Sequence, residues 1–448
     1  MPETPGVADR RDAVCVIGAG ASGLTAIKNL REHGFAVDCY ERETSVGGGW
    51  NWRHDRSPIS SATHLISSRP LSEFPDFPMP DDWPDYPHHA QVLSYLERYA
   101  EHFGLGEHVW FGTEVASVVP VGDGRWDVTT HSTGGGAERT QRYAAVVVAN
   151  GHNWAPRMPE IEGEFRGRFL HASAYKNPAV LRGRRVLVIG GGNSGCDIAV
   201  EAAQQAAEVW HSTRRGYWYA QKYVFGRPAD QSAALMRRLR LPMWLRDWLY
   251  RRTVLATSGD PARFGLPTPD HGPYESHPVV NSQLIHYLGH GRITPVPDVA
   301  RFDDAAVELT DGTRVEPDLV IAATGYRPQF EFLAPELLDL DDDGRPDLHL
   351  HAFARRHPTL AVVGLLQSDS PGLLPLAHWQ NVAVARWLRL RTADPVRAAA
   401  VQQAESKRPL EQWSRSKTVP TARHWFEVSG VDYLKVLAEL LKRLEPAP

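Results

Sequence analysis

Two glycine clusters share the spacing Gly-x-Gly-x-x-Gly. The first is Gly18, Gly20 and Gly23 in GAGASG, and the second is Gly190, Gly192 and Gly195 in GGGNSG. Each comes directly after an apolar run, AVCVI or RRVLVI, and opens a helix-forming stretch. In that context the first glycine permits a tight turn, and the second lets the backbone approach a pyrophosphate. The third lets helix and strand pack closely. A helix N-terminus adds open N–H groups and positive partial charge for phosphates. Ser22, Asn193 and Ser194 occupy intervening positions at these helix starts. The chemistry this spacing predicts is dinucleotide binding, twice in one chain.

The two clusters differ in the residues that lie downstream. Glu41 ends the strand after the first, placed to accept hydrogen bonds from ribose hydroxyls. At the matching strand exit of the second stands HSTRRG, with Arg214 and Arg215. Guanidinium groups pair with a 2′-phosphate in a fork geometry, whereas an acid would repel it. This pattern predicts resident FAD at the first site and NADPH as hydride donor at the second. The chain therefore reads as a flavoprotein that moves two electrons.

The elements that must position these loops read as α/β, with two Rossmann-like dinucleotide-binding domains. The NADP domain is inserted into the FAD domain. Residues 1–160 and 320–448 are assigned to the FAD domain and 161–319 to the NADP domain. The second unit has its own closing strand near 318–325, in DLVIAATGYRP. GTEVASVVPVGDGRWDVTTH predicts a hairpin, and the helical run LAHWQNVAVARWLRL from 376 returns to the first domain. A length of 448 residues suits two or three domains, and 42% hydrophobic with 23% charged residues is a globular composition. The net charge of −4 gives no reason to expect nucleic acid. Cys15, Cys39 and Cys196 form no CxxC, which argues against a redox dithiol and fits a reducing cytoplasm. MPETPGVADRRD lacks the apolar core of a secretory signal, and no run of 18 apolar residues exists. The expectation is a cytoplasmic protein without a membrane span.

A third motif leads to a family. Phe165-x-Gly167-xxx-His171-xxx-Tyr175-Lys176 resembles the fingerprint of class B flavin-containing monooxygenases. Their relatives, the Baeyer–Villiger monooxygenases, carry Trp followed by Pro or Asp where this chain has Tyr-Lys. The resemblance extends through GGGW at 47–50, FPDFPMP at 74–80, GHNWAPRMP at 151–159, GGGNSGCDIA at 190–199 and DLVIAATGYRP at 318–328, which includes Gly325. It implies that 165–176 links the two domains and helps them move, with Gly167 a flexible turn, His171 a structural strut and Lys176 beside the cofactors. It implies Gly49 and Trp50 against FAD, and Ser194, Gly195, Cys196 and Asp197 near the NADP phosphates, with Asp197 pointing away or capping. The implied activity is NADPH- and O2-dependent insertion of one oxygen atom at N or S of a small organic substrate, through a C4a-hydroperoxyflavin. Baeyer–Villiger oxygenation of ketones and an NADPH-dependent flavin reductase or oxidase are the alternatives. The chain departs from the family at one place. The family's Asn, eight residues before the FPDFP phenylalanine, is Ile66 here. Ser67, Ser68 and His64 are the candidate substitutes, and Ser67, His64 and Tyr175 are the catalytic candidates.

One stretch stands outside these motifs. LMRRLRLPMWLRDWLYRRTVL, 235–255, carries six arginines among Leu, Met, Trp and Tyr, with Pro242 as a break. It lies in an extension of the NADP domain at about 216–275. Three roles are open: a lid of two short helices, a packing surface including one for a homodimer, and peripheral membrane contact. His-His at 88–89 and His-Leu-His at 349–351 lack carboxylates or thiols at ligand spacing, so no metal is expected.

Overall fold

The computed structural model describes residues 8–238, 242–272, 275–276, 279–368, 370–407 and 425–445. Strand β1 (Ala8–Ile17) runs into helix α1 (Ala21–Glu32), which leads to β2 (Ala36–Tyr40). Val14, Cys15 and Val16 are wholly buried, as a strand covered on both faces must be. Gly34, at φ +83°, turns the chain out of α1. Helix α2 (His89–His102) comes next, then β3 (Val109–Trp110), the hairpin β4 (Thr113–Val121) and β5 (Arg125–Ser132), and β6 (Arg139–Val148). The central ladder is parallel: Ile17 pairs with Tyr40 on one side and with Val148 on the other. Leu360–Val362 extends the sheet beyond β6, also in parallel. The long helix Leu373–Ala393 packs on α1.

The chain leaves this domain through β7 (Ala155–Pro156) and comes back through Tyr326–Arg327. These two segments pair antiparallel, Ala155 with Arg327 and Pro156 with Tyr326. Between them lies a second sheet with five parallel strands, in the order Thr294–Val296, β10 (Glu208–Ser212), β9 (Arg185–Ile189), Leu319–Ala322, β8 (Arg168–His171). Helix α3 (Asn193–Gln205) comes after β9. The closing strand expected near 318–325 is Leu319–Ala322. A boundary at 319/320 falls inside it, although all four of its residues pair within the second sheet.

The stretch 165–176 differs from its expected role. The chain does not cross between the domains here, although Lys176 at its end bonds the 57–61 loop of the first domain. Arg168–His171 is the edge strand of the second sheet, and the interdomain passage is the paired β7 and Tyr326–Arg327 segments. Nor is Gly167 a left-handed turn, since its φ is not positive. Glycine leaves room for the Phe165 ring, which lies 2.3 Å from where a Cβ would stand and would have to move for any larger residue. Phe165 in turn packs on Phe302, with centroids 5.5 Å apart.

In the extension, α4 (Ala229–Arg238) and α5 (Met243–Ser258) flank Pro242, while 239–241 lie outside the described residues. Proline suits the start of α5, where its missing N–H has no partner to lose. Among the described residues, no helix is long and apolar enough to cross a membrane.

Candidate active site

Parallel strands bring the two glycine loops to one cleft. Because Ile17 is level with Tyr40 and Val148, the chain exits at Gly18, Glu41 and Ala149 side by side. The second sheet repeats this, with Ile189 level with Ser212 and Ala322. The cleft between them has a volume of about 2060 Å³ and is lined from both domains. That is about twice the upper end of an ordinary small-molecule site, near 1,000 Å³. It leaves room for two dinucleotides and a substrate.

The first loop fits a dinucleotide. Gly18 is left-handed at φ +100°, and its N–H donates to Tyr40 O at 2.8 Å. A Cβ on Gly23 would stand 1.8 Å from Gly18 O, so only glycine lets α1 start this close to β1. Gly20, Ala21 and Ser22 line the cleft at the helix N-terminus, where amides have no intrahelical acceptor. The Glu41 carboxylate accepts from Ala19 N at 2.6 Å and from Glu43 N at 2.9 Å, and it also lines the cleft. Burial pushes its carboxyl up, against the pull of those two amides. Gly49 and Trp50 lie in a short turn that also lines the cleft, held by Ser57 Oγ donating to Gly49 O at 2.8 Å.

The second loop is built alike. Gly190 is left-handed at φ +121°, and its N–H donates to Ser212 O at 2.9 Å. A Cβ on Gly195 would meet Gly190 O at 1.9 Å. Gly192, Asn193 and Ser194 line the cleft, and Asn193 Oδ1 accepts from Val280 N at 2.8 Å. Arg214 and Arg215 are exposed at the cleft wall, and among the described residues neither forms a hydrogen bond or ion pair. Asn193, Asp197 and Glu201 recur every four residues and so share one face of α3, which lines the cleft. Asp197 accepts from Asn281 Nδ2 at 2.7 Å. Asp197 lies open to the cleft, and desolvation among the walls of the cleft pushes its pKa up to about 6, against the opposing field of Lys222.

The remaining expected residues divide. Gly325, at φ +84°, lines the cleft, and its carbonyl accepts from Arg157 N at 2.9 Å and His171 Nε2 at 3.0 Å. A carbonyl only accepts, so His171 carries its proton on Nε2, while Nδ1 accepts from Ser173 N at 3.1 Å. Both nitrogens are engaged, as a strut requires. Tyr175 is 1% exposed, and its hydroxyl donates to Glu201. Lys176 Nζ donates to Ser57 O, and Ser61 N donates to Lys176 O at 2.8 Å, tying the second domain to the 57–61 loop of the first. Phe165 and Gly167 lie away from the cleft lining.

Where the family's Asn would stand, Ile66 lines the cleft. Beside it Ser67 also lines the cleft, with its hydroxyl 2.6 Å from that of Ser72. His64 is exposed at the cleft, its ring 4.9 Å from His88. Ser68 is fully buried, and its N–H donates to Asp230 of α4 at 2.6 Å. Helix α5 turns Arg246, Asp247, Tyr250, Thr253, Val254 and Thr257 to the cleft and leaves Trp244 and Trp248 exposed outside.

Several supporting residues escaped sequence reasoning. Asn381 Nδ2 donates to Ser22 O at 3.0 Å, and Gln380 Oε1 accepts from Gly364 N at 2.8 Å, bracing the first loop from behind. Asp76 of the FPDFP motif pairs with Lys28 at 2.7 Å and lies 3.5 Å from His378. The signal available was the cluster His378, Gln380 and Asn381 in the apolar first half of a long helix.

Comparison with known proteins agrees with this geometry. A family model described as FMO-like, flavin-binding monooxygenase-like, matches residues 11–448. "Flavin-containing monooxygenase 5" of Rattus norvegicus is 31% identical over 96% of this chain and 82% of its own length. "Dimethylaniline monooxygenase [N-oxide-forming] 2" of the same species is 32% identical over 95% and 82%. Among solved structures, a flavin-containing monooxygenase from Stenotrophomonas maltophilia is 26% identical, with a TM-score of 0.62 over 85% of this chain and 98% of that one. An open structure of cyclohexanone monooxygenase shares the fold at 19% identity, with a TM-score of 0.69 over 96% and 97%. The chain is a flavoprotein oxidoreductase that belongs to the flavin-binding monooxygenase-like family.

Proposed function

We propose that this chain is an NADPH- and O2-dependent monooxygenase that places one oxygen atom on nitrogen or sulfur of a small organic molecule. The observation that carries the reading is the pair Arg214 and Arg215, unpaired beside the second loop, set against Glu41 beside the first. Among the described residues neither arginine has a hydrogen bond or ion pair, although Arg215 lies in the field of Asp270, and two such guanidinium groups at a cleft wall suit an anionic ligand. FAD would be held by Gly18, Gly20, Ser22, Gly23, Glu41, Gly49 and Trp50. NADPH would be held by Gly190, Gly192, Asn193, Ser194, Gly195, Arg214 and Arg215. Bound flavin supplies the two-electron relay between nicotinamide and O2. The reaction balances as NADPH, a proton, O2 and substrate giving NADP+, water and the oxygenated product.

The chain's own residues orient and shield. Lys176 and His171 fix the second domain against the 57–61 loop and the Gly325 turn. Ile66 and Ser67 present one apolar and one hydroxyl group where relatives carry an amide, and His64 stands at the opening. We assign Ser67 as the hydrogen-bonding group at the reacting centre and Tyr175 as the support of Glu201. Tyr175-Lys176 in place of Trp with Pro or Asp favours this reading over ketone oxygenation.

Purified protein should be yellow and consume NADPH. After anaerobic reduction by NADPH, mixing with O2 should give a transient absorbing species before oxidised flavin returns. Immediate return would favour a reductase or oxidase. A screen of amines, sulfides and ketones read by product mass identifies which atom gains oxygen.

A further inference from the structure

Asp197 and Glu201 are the two carboxylates on the cleft face of α3; the Tyr175 hydroxyl occupies Glu201, and the proposed chemistry gives Asp197 no task. It stands one turn into α3, on the same face as Asn193, and opens to the cleft. The groups that face it are few. Asn281 Nδ2 donates to it at 2.7 Å, Lys222 approaches from the 219–224 segment, and Glu201 stands one turn later, capped by the Tyr175 hydroxyl. Asn281 is itself fixed, since its Oδ1 accepts from Gln283 N at 2.9 Å and Leu284 N at 2.7 Å. The resemblance implied that Asp197 points away or caps the helix; instead it lines the cleft, held there by Asn281.

Three anchors order a dinucleotide along this cleft. The start of α3 takes the pyrophosphate. Arg214 and Arg215 lie beyond the loop on the side of β10, so the phosphorylated ribose points that way. In the proposed assignment the other half runs past the α3 face that carries Asp197, toward the first-domain loop that Lys176 and Ser61 join to this domain. That half ends in the nicotinamide ring, which is neutral when reduced and carries a positive charge once it has given up hydride. A fixed carboxylate beside it acts on the oxidised form alone.

We infer that Asp197 is a positioning residue that retains the oxidised, cationic nucleotide in preference to the reduced one. This rests on the assignment of NADPH to the second loop. At a separation of about 5 Å in a water-open cleft, with effective screening between that of a protein surface and that of bulk water, one charge pair is worth roughly tenfold in affinity. The preference should weaken as Asp197 protonates, below pH about 6. The 2′-phosphate titrates nearby but is common to both nucleotides, so the ratio of their affinities isolates the ring.

The test is to measure dissociation constants of NADP+ and, anaerobically, NADPH on the flavin-loaded enzyme and its Asp197→Asn variant. Asparagine keeps the shape and an acceptor for Asn281. The expected result is about tenfold weaker NADP+ binding with NADPH changed less than twofold. In the wild type the NADP+/NADPH affinity ratio should fall from pH 7.5 to 5.5, and in Asp197→Asn it should stay flat. Equal weakening of both nucleotides, or of neither, overturns the inference. If the variant does not fold, the wild-type ratio decides alone, and a ratio flat in pH overturns it. If the wild type binds neither nucleotide, the NADPH assignment itself fails, a result distinct from the others.

Discussion

The two glycine loops are almost the same object, and their difference lies outside them. In both, the first glycine is left-handed and donates to the last residue of the neighbouring strand, Tyr40 or Ser212. In both, the third glycine meets the carbonyl of the first at under 2 Å from a would-be Cβ. Even the brace on that carbonyl occupies the same register: Cys39, level with Val16, donates to Gly18 O, and His211, level with Val188, donates to Gly190 O at 3.0 Å. The surroundings then diverge. The first loop is clamped from behind by Asn381, and its acid is buried and doubly bonded. The second offers exposed, unpaired guanidinium groups at its edge. A rigid, enclosed cradle suits a ligand that stays, whereas an open one with free charges suits a ligand that comes and goes.

That contrast breaks most sharply at the third glycines. Gly23→Ala should prevent flavin loading and destabilise the protein by about 3 kcal/mol or more, because α1 must shift off β1. Gly195→Ala should leave a yellow protein that no longer binds nucleotide. The ratio of flavin to protein absorbance, with nucleotide titration, separates the two. Similar loss of flavin from both variants would mean the domains are not independent.

Next in size is Arg214→Ala with Arg215→Ala. Two charge-assisted contacts are worth about 1.5–3 kcal/mol each, so KM for NADPH should rise at least tenfold while that for NADH stays within about twofold. A parallel rise for both would remove the 2′-phosphate assignment. Glu41→Gln keeps one acceptor for the Ala19 and Glu43 amides but loses the charge, and FAD affinity should fall about tenfold with little change in nucleotide KM.

The smallest effect is on stability. Desolvation raises the Asp197 carboxyl to about 6, so its ionisation costs folding free energy once pH passes from its unfolded value toward that point. Its contribution is intact at pH 4 and lost by pH 7. Because the carboxylate opens to water in the cleft, the cost after screening is about 1 kcal/mol. Asp197→Asn should therefore melt slightly higher than wild type at pH 7.5 and equal to it at pH 4, read by thermal denaturation.

Much of this site was legible in the chain because it depends on short-range geometry. Gly18, Gly23, Gly190 and Gly195 are fixed by a turn and a helix packing within six residues, and a strand of known length places Glu41 or Arg214 beside each. Three readings needed more. Gly167 looked like a pivot, yet its glycine answers to the Phe165 ring. The stretch 165–176 looked like a connector, yet it links the domains by side-chain and backbone contacts of Lys176, while its Arg168–His171 segment is a sheet edge whose pairing with Leu319–Ala322 spans about 150 residues of chain. Asp76 was noticed only as part of a motif, and its partners Lys28 and His378 come from opposite ends of the sequence.

By itself, then, the sequence determined that there are two nucleotide loops, that they differ in charge, and that a flavin monooxygenase family owns the pattern. Such features are set by backbone sterics and local periodicity, which a linear chain carries in full. Only the tertiary structure decided which side chains face the cleft. Whether Ser67 is open and Ser68 closed, or whether Asp197 caps its helix or is held toward the ligand by Asn281, depends on contacts between segments far apart in the chain. No local pattern encodes those.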